Sequence, residues 1–312
     1  MSHRRGAAFL TFVTVTVVAV GLLVGGGFWL ANYLGTAFVP ELRPGCTATV
    51  GASSYTLAPD QTQNAALISA VSLQRGMPAR AASIALATAL QESKLRNIDY
   101  GDLDSVGLFQ QRPSQDWGTA EQIMDPVYSS TAFFKALEQV PNYANLPLND
   151  AAQIVQRSAY PHAYAQHEPT AKAFASALTG QSPAALSCTL PPVSATDVPP
   201  TSAALEEAIH AAFGPLPVTA STDQGSSSLR VQISGATAWA IAQWAVANAR
   251  SQGITSVSFE NNIWDRNAND AGHNVGWKAA SAAGATGQNA PNTANAPNSE
   301  GFLTIYLASA PQ

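Results

Sequence analysis

The chain has 312 residues and a formal net charge of −5, from 20 acidic and 15 basic residues. This length accommodates one membrane segment and about two modest domains. The charge balance lacks the basic footprint of nucleic-acid-binding proteins, so we expect no nucleic-acid partner.

The N-terminus contains a long apolar segment. Residues 7–34 carry no charged side chain, and His3, Arg4 and Arg5 precede them. About 20 apolar residues span a bilayer, and cationic residues favour its cytoplasmic side. We therefore predict a cytoplasmic tail at residues 1–6, an uncleaved transmembrane signal anchor at 7–34 and an extracellular location for the rest. A cleaved signal peptide is the alternative, although its apolar region usually has roughly 7–15 residues.

The next two segments differ in pattern. Residues 35–60 contain several prolines among small polar residues, which is typical of an extended stalk. Residues 61–188 show helical periodicity with capping signals and no convincing strand, which predicts an all-α domain. The predicted helices lie at about 62–75, 78–93, 126–140, 149–160 and 167–178.

A Pro-rich segment at 189–202 predicts a semi-rigid linker. Beyond it, helical and strand-like patterns alternate, which predicts a small α+β or α/β C-terminal domain at 203–312. The predicted fold class is therefore an N-terminal transmembrane helix, an all-α domain and this smaller domain.

The chain has two cysteines, Cys46 and Cys188, which bracket the predicted helical domain. Under the predicted topology both lie outside the cell, where an even pair is usually oxidised. We therefore predict a disulfide between them, with two free structural thiols as the alternative. Neither has a Cys or His neighbour at metal-ligand spacing, so we expect no metal there.

Glu92 ends an apolar stretch, ASIALATALQ, that predicts a buried helix. A carboxyl group in apolar surroundings can stay protonated near neutral pH, as protonation of a glycosidic oxygen requires. The alternative is an exposed glutamate that pairs with Arg96 four residues later.

Three short motifs begin at this glutamate: ES at 92–93, GD at 101–102 and GLFQ at 107–110. Their order and spacing resemble the lysozyme-like superfamily, in particular goose-type lysozymes and soluble lytic transglycosylases. The longer stretch, including QQRPSQDWGT, resembles a group of secreted lysozyme-like proteins from Gram-positive bacteria. The resemblance covers about residues 62–180 and implies a lysozyme-like fold in a membrane-anchored actinobacterial cell-wall protein that cleaves peptidoglycan.

The resemblance implies a role for each matching residue. Glu92 would be the catalytic general acid, Ser93 would orient its carboxyl group, and Gln110 would line the glycan groove. Tyr160, in QRSAYPHAY, matches the late tyrosine of the transglycosylases, although Pro161 stands where they carry asparagine.

The second catalytic carboxylate is not where the goose-type pattern places it, because Gln111 and Arg112 occupy that position. An inverting hydrolase uses such a group to activate water, and Asp102 or Asp104 would serve. The resemblance implies that a lytic transglycosylase needs none, since the sugar's own 6-hydroxyl attacks and Glu92 acts first as acid and then as base. Alternatively, the aspartates belong to a solvated turn.

Gln111, Arg112 and Trp117 are further candidate substrate-binding residues, as contacts to sugar or to the peptide stem. A surface arginine and a core tryptophan are the alternatives. His162 and His167 do not form the H-E-x-x-H pattern of zinc hydrolases. We expect no metal and no cofactor.

The segment WAIAQWAVANARSQGITSVSFENNIWD resembles the terminal module of some actinobacterial wall proteins related to zinc D,D-peptidases. The strand GFLTIYLA, which would carry the metal-binding histidines of those enzymes, contains none. The resemblance therefore implies binding or assembly with envelope proteins rather than a second enzyme.

Together these features predict an extracytoplasmic protein, anchored in the cytoplasmic membrane, that cleaves peptidoglycan as a lysozyme or a lytic transglycosylase. The alternative is a non-catalytic wall-binding or scaffold component of an envelope, secretion or conjugation machine. Glu92 and the GLFQ motif favour the enzyme, whereas the missing aspartate and asparagine favour the scaffold.

Overall fold

The computed structural model describes residues 44–157, 162–193, 201–223, 226–269, 275–280 and 301–308, together with Gly27 and Trp29. Within these residues, no helix is both long enough and apolar enough to span a bilayer. The predicted anchor at 7–34 lies outside them except for Gly27 and Trp29, which are helical.

A three-stranded antiparallel sheet brings the two ends of the helical region together. Its strands are β1 (Gly45–Val50), β2 (Ser53–Leu57) and β3 (Leu186–Thr189), in the order β2-β1-β3. Cys46 and Ala48 of β1 are buried while its threonines lie on the other face, as the two-residue period of a strand requires. Part of the segment predicted as a stalk is therefore sheet.

Between β2 and β3 the described residues form six α-helices. They are α1 (Pro59–Gln74), α2 (Ala79–Ser93), α3 (Ala120–Met124), α4 (Pro126–Glu138), α5 (Leu148–Gln156) and α6 (Glu168–Leu178). Helix α2 is buried on every side from Ala81 to Leu90 and packs against α1, α5 and α6. Its many alanines let these neighbours approach closely, so α2 is the centre of the helical region.

The C-terminal part is a six-stranded sheet with two helices. Its elements are α7 (Ser202–Phe213), β4 (Val218–Asp223), β5 (Ser226–Gln232), α8 (Gly235–Ala247), β6 (Ile254–Phe259), β7 (Asn262–Asp265), β8 (Lys278–Ala279) and β9 (Phe302–Leu307). The strand order is β4-β5-β9-β6-β7-β8, and every neighbouring pair is antiparallel. Helix α8 packs on this sheet, where Trp239 contacts Phe259 and Trp277 edge to face.

The predicted fold class is wrong. The described residues form a mixed α+β structure with two antiparallel sheets, and one of these sheets closes the region predicted to be an all-α lysozyme-like domain. The error has a physical origin: β1 and β3 are short, rich in Thr and Ser, and far apart in sequence. Each strand has too few residues to show a clear alternation, and their pairing is a long-range contact that no local pattern reveals.

The predicted disulfide is confirmed. Cys46 lies directly opposite Cys188 in the β1–β3 ladder, and their sulfur atoms are bonded across a sequence separation of 142 residues. Closing a loop of this length stabilises the folded state by about 5 kcal/mol in the chain-entropy treatment.

One buried side chain joins the helical region to helix α8. The Gln243 carboxamide oxygen accepts hydrogen bonds from the backbone N–H groups of Ala185 (2.9 Å) and Leu186 (2.7 Å). Its amide nitrogen donates to the carbonyl groups of Ala177 (2.7 Å) and Ser182 (3.0 Å). Gln243 thus satisfies four backbone groups, three of them in buried contacts. The predicted boundary between domains 61–188 and 203–312 stays a prediction.

Gln243→Leu should destabilise the protein strongly. Leucine has a similar volume but no polar atoms, so four backbone groups would lose their partner in a buried site. Each such group costs about 1–3 kcal/mol, and we expect a total loss of roughly 3 kcal/mol or more. Urea denaturation of the wild type and the variant measures it.

The matched control is Gln232→Leu, because Gln232 is exposed on β5. Its effect should stay within about 0.5 kcal/mol. Equal stability of the two variants would show that the Gln243 contacts do not hold the helical region and helix α8 together.

Candidate active site

Helix α2 ends in a sharp reversal that determines the position of Glu92. Lys94 and Leu95 have left-handed backbone conformations, with φ of 55° and 57°. The N–H of Leu95 donates to the carbonyl of Ala89, and the Asn64 side chain donates to the carbonyl of Leu95. Leu95 itself is fully buried. The chain therefore folds back over the last turn of α2.

The carboxyl group of Glu92 is half-buried and is held by a tyrosine. The hydroxyl of Tyr164, a fully buried residue, donates a 2.8 Å hydrogen bond to Glu92 Oε1. The alternative pairing of Glu92 with Arg96 does not form, because Arg96 pairs with Asp60 at 2.9 Å. Among the described residues, no other hydrogen bond to the Glu92 carboxyl group is made.

The GLFQ motif forms a tight turn beside Glu92. Val106 and Gln111 pair as an antiparallel bridge, and Gly107 has a φ of 82°. A Cβ atom on Gly107 would lie 2.8 Å from the carbonyl oxygen of Ile123, so both conformation and space require glycine.

Side chains from two helices fix this turn. Ser93 Oγ donates to the Leu108 carbonyl at 2.7 Å, and Gln156 Nε2 donates to the Phe109 carbonyl at 2.9 Å. The Phe109 ring stacks on Phe133 of α4 with 4.6 Å between centroids. Ser93, predicted to orient the carboxyl group of Glu92, thus anchors the turn instead.

The two glutamines have different surroundings. Gln110 is half-buried, and its Nε2 donates to the Tyr100 carbonyl at 3.3 Å. A Cβ atom on Gly101 would lie 2.6 Å from the Ser105 carbonyl oxygen and would also meet the Gln110 side chain, so the loop with the GD motif packs closely against the GLFQ turn. Gln111 is buried and donates to the Ser129 carbonyl at 3.2 Å, which is a structural contact to α4.

The two candidate aspartates also differ. Asp102 is exposed. Asp104 accepts a 2.8 Å hydrogen bond from Arg112 Nε and two more from the backbone N–H and hydroxyl of Ser114. The bond from Arg112, followed by those from Ser114, holds the pKa of Asp104 well below its usual range. Asp104 and Arg112 therefore form an ion pair within the loop.

The late motif contains two tyrosines, and the structure describes only the second of them. Tyr160 lies outside the described residues, whereas Tyr164, the last residue of the same QRSAYPHAY stretch, contacts Glu92. The second tyrosine of this stretch, four residues after Tyr160, was the sequence signal that could have pointed to Tyr164.

The next residues contact the side chain that precedes Glu92. His167 Nε2 and Gln166 Nε2 each lie 3.1 Å from Gln91 Oε1. Burial lowers the pKa of His167, which favours its neutral form. The segment 164–167 thus holds the side chains of both Gln91 and Glu92 by hydrogen bonds.

Trp117 lies in a different place. It is half-buried, packs against the core and lines an open cavity of about 500 Å³ along helix α4. Glu92, Asp102 and Asp104 do not line this cavity. Within the described part of the chain, no group of three or more His, Cys, Asp or Glu residues is arranged to hold a metal ion.

The sequence matches no protein-family model and shows no significant similarity to a curated protein. Together with the two antiparallel sheets, this result overturns the predicted membership of the lysozyme-like superfamily. Inference about function therefore depends on the geometry around Glu92.

Asp104→Asn should lower stability at neutral pH and have less effect in acid. The folded-state pKa of Asp104 lies below its ordinary value of 3.8, so the ionised group stabilises the fold above that pH. As the pH falls below 3.8, the unfolded chain binds a proton that the folded chain does not, and this stabilisation shrinks. The difference between wild type and variant should be larger at pH 7 than at pH 3.

Chemical denaturation at the two pH values measures this difference. Asp99→Asn, at an exposed position of the same loop, is the matched control and should change stability little. A difference for Asp104→Asn that is the same at both pH values would contradict the ion-pair assignment.

Proposed function

We propose that this protein cleaves glycosidic bonds in the glycan strands of peptidoglycan, with Glu92 as the general acid. The observation that carries the proposal is the hydrogen bond from the buried Tyr164 hydroxyl to Glu92 Oε1. It holds one carboxyl oxygen in place on a half-buried side chain at the end of a rigid helix. Among the residues that the structure describes, none forms a hydrogen bond to the other carboxyl oxygen, which would therefore be the one that faces a substrate.

The contacts around Glu92 hold its carboxyl group in one position, as a general acid requires. A general acid must lie within hydrogen-bond reach of the atom that it protonates, and a locked side chain maintains this geometry. Glu92 is locked by Tyr164, and the neighbouring turn at 107–110 is locked by Ser93 and Gln156. The turn next to Glu92 is therefore held in place before a substrate binds.

The aspartates bear on the type of cleavage. Asp104 is engaged by Arg112 and Ser114, so Asp102 is the better candidate to activate water in a hydrolase. Attack by the 6-hydroxyl group of the sugar needs no second carboxylate, and Glu92 would give its proton to the leaving oxygen and then take one from the attacking hydroxyl. The engagement of Asp104 favours this transglycosylase route.

The proposed location is outside the cytoplasm. The Cys46–Cys188 disulfide supports it, because such bonds persist in oxidising compartments. The apolar segment at 7–34 would attach the protein to the cytoplasmic membrane, and peptidoglycan would be its partner on the outer side.

The second candidate function is a wall-binding or scaffold component without catalysis. The observation in its favour is the same ion pair, because Asp104 is bound within the loop and is not available to activate water.

Glu92→Gln should abolish cleavage while the fold is kept. Glutamine is nearly isosteric and still accepts the hydrogen bond from Tyr164, but it cannot donate the proton in the same way. Loss of general acid catalysis should lower the rate by roughly 10²–10⁴-fold. Purified peptidoglycan is incubated with the full chain, and the released fragments are identified by mass spectrometry as 1,6-anhydro or reducing-end products.

Glu207→Gln, an exposed glutamate on α7, is the matched control and should release fragments as the wild type does. Unchanged release by Glu92→Gln would end the catalytic assignment. Binding of the wild type to wall sacculi without any release would favour the scaffold.

Tyr164→Phe should lower turnover with little change in KM. The ring still fills the core, but Glu92 loses its donor and is no longer held in one orientation. We expect a decrease of about tenfold in kcat and a loss of about 1 kcal/mol in stability. Kinetics on soluble glycan fragments with a denaturation curve measure both, and equal kcat values would show that Tyr164 has only a structural role.

A further inference from the structure

The open cavity along helix α4 has a defined construction. The loop that contains Trp117 lies against the first turn of the helix, where a Cβ atom on Gly118 would meet Tyr128 Oη at 2.5 Å. Asp125 caps the helix by accepting a 2.8 Å hydrogen bond from the backbone N–H of Val127. The loop and the helix therefore form two fixed walls around about 500 Å³ of open space.

The floor of the cavity is apolar and aromatic. Trp117, Val127, Tyr128 and Ala132 line it, and three of these lie on one outward face of α4. Val127 is 50 % exposed, so its side chain is accessible to a ligand. Such a surface offers contacts to aliphatic groups of a ligand.

Opposite charges stand at the two ends. Asp116 and Asp125 line the cavity beside the first turn of α4, and Lys135 lines it in the last turn. Ten residues of helix separate Asp125 from Lys135, a distance of about 15 Å along the axis. Asp116 and Lys135 are both exposed, and neither takes part in an ion pair with another described residue.

We propose that this cavity binds a short extended peptide, with an ammonium group at Asp116 and a carboxylate at Lys135. Asp125, which lines the cavity together with Asp116, lies about 15 Å along the helix axis from Lys135, so a ligand of a few extended residues reaches both ends. The aliphatic side chains of the peptide lie on the floor between the charges. Both charges are exposed, so they would stay solvated beside a neutral saccharide and add nothing to its binding, whereas a peptide that carries both charges pairs with each of them.

The identity of this peptide as the stem of peptidoglycan rests on the proposed function. In the polymer the amino terminus of the stem is amide-linked to the glycan, so the ammonium group at Asp116 is that of the diamino acid side chain and the carboxylate at Lys135 is the free C-terminus. The site itself does not need Glu92, since Glu92 does not line the cavity. Failure of glycan cleavage and failure of peptide binding are therefore separate results.

The test is a titration of the purified full chain with the tetrapeptide N-acetyl-L-Ala-D-isoglutamyl-L-Lys-D-Ala, whose amino terminus is blocked as it is in the polymer. Binding is measured by calorimetry and by the indole NMR signal of Trp117, which is assigned from its absence in Trp117→Phe. Exposed ion pairs contribute modestly, so Asp116→Lys and Lys135→Glu should each weaken binding about five- to tenfold. Raising the salt concentration from about 50 mM to about 500 mM should weaken it as well.

The matched control is Lys278→Glu, which reverses the charge of an exposed lysine on β8 and should bind as the wild type does. Glu92→Gln should also keep peptide binding. The proposal is overturned if the Trp117 signal does not move at about 10 mM peptide, or if the two charge reversals bind normally. It is equally overturned if Glu92→Gln abolishes binding, or if a chitin tetrasaccharide moves the Trp117 signal and the peptide does not.

Discussion

The reversal at the end of helix α2 is the constraint on which the candidate site depends. Leu95 enters the core immediately after the helix, and two successive left-handed residues allow this. The following loop must then return across the helix end, where Ser93 meets the Leu108 carbonyl. Ser93 is thereby bound to the turn, and Glu92 beside it accepts the hydrogen bond from the buried hydroxyl of Tyr164.

The surrounding architecture makes that placement rigid. Helix α2 is buried on all sides, and the helical region around it is closed by the β1–β3 ladder and its disulfide. Gln243 then fixes the segment between α6 and β3 to helix α8. Catalytic groups on rigid elements keep their geometry better than groups on loops, so the position of Glu92 suits a general acid.

Local signals predicted much of this structure, and long-range contacts supplied the rest. The start of α4 at Asp125–Pro126, the buried character of α2 and the strand at β9 follow from capping residues and periodicity. The pairing of β1 with β3 and the contact of Tyr164 with Glu92 join residues far apart in sequence, so no local pattern contains them. The ES, GD and GLFQ motifs misled the fold prediction for a related reason. Ser93, Gly101 and Gly107 are each required by the local geometry of a helix end and a turn, and such geometry does not specify the fold around it.

Helix α4 connects the two proposed sites. On its inner side, Phe133 stacks on Phe109, and the Ser129 carbonyl accepts a hydrogen bond from Gln111, so this side supports the turn beside Glu92. On its outer side, Tyr128 and Lys135 line the cavity. Peptidoglycan carries a glycan and a peptide on one polymer, so a substrate of this kind has one component for each site. Under the two proposals, a single short helix supports the wall of the cleavage site with one face and holds the peptide with the other, and the reaction would then be selective for glycan strands that carry peptides.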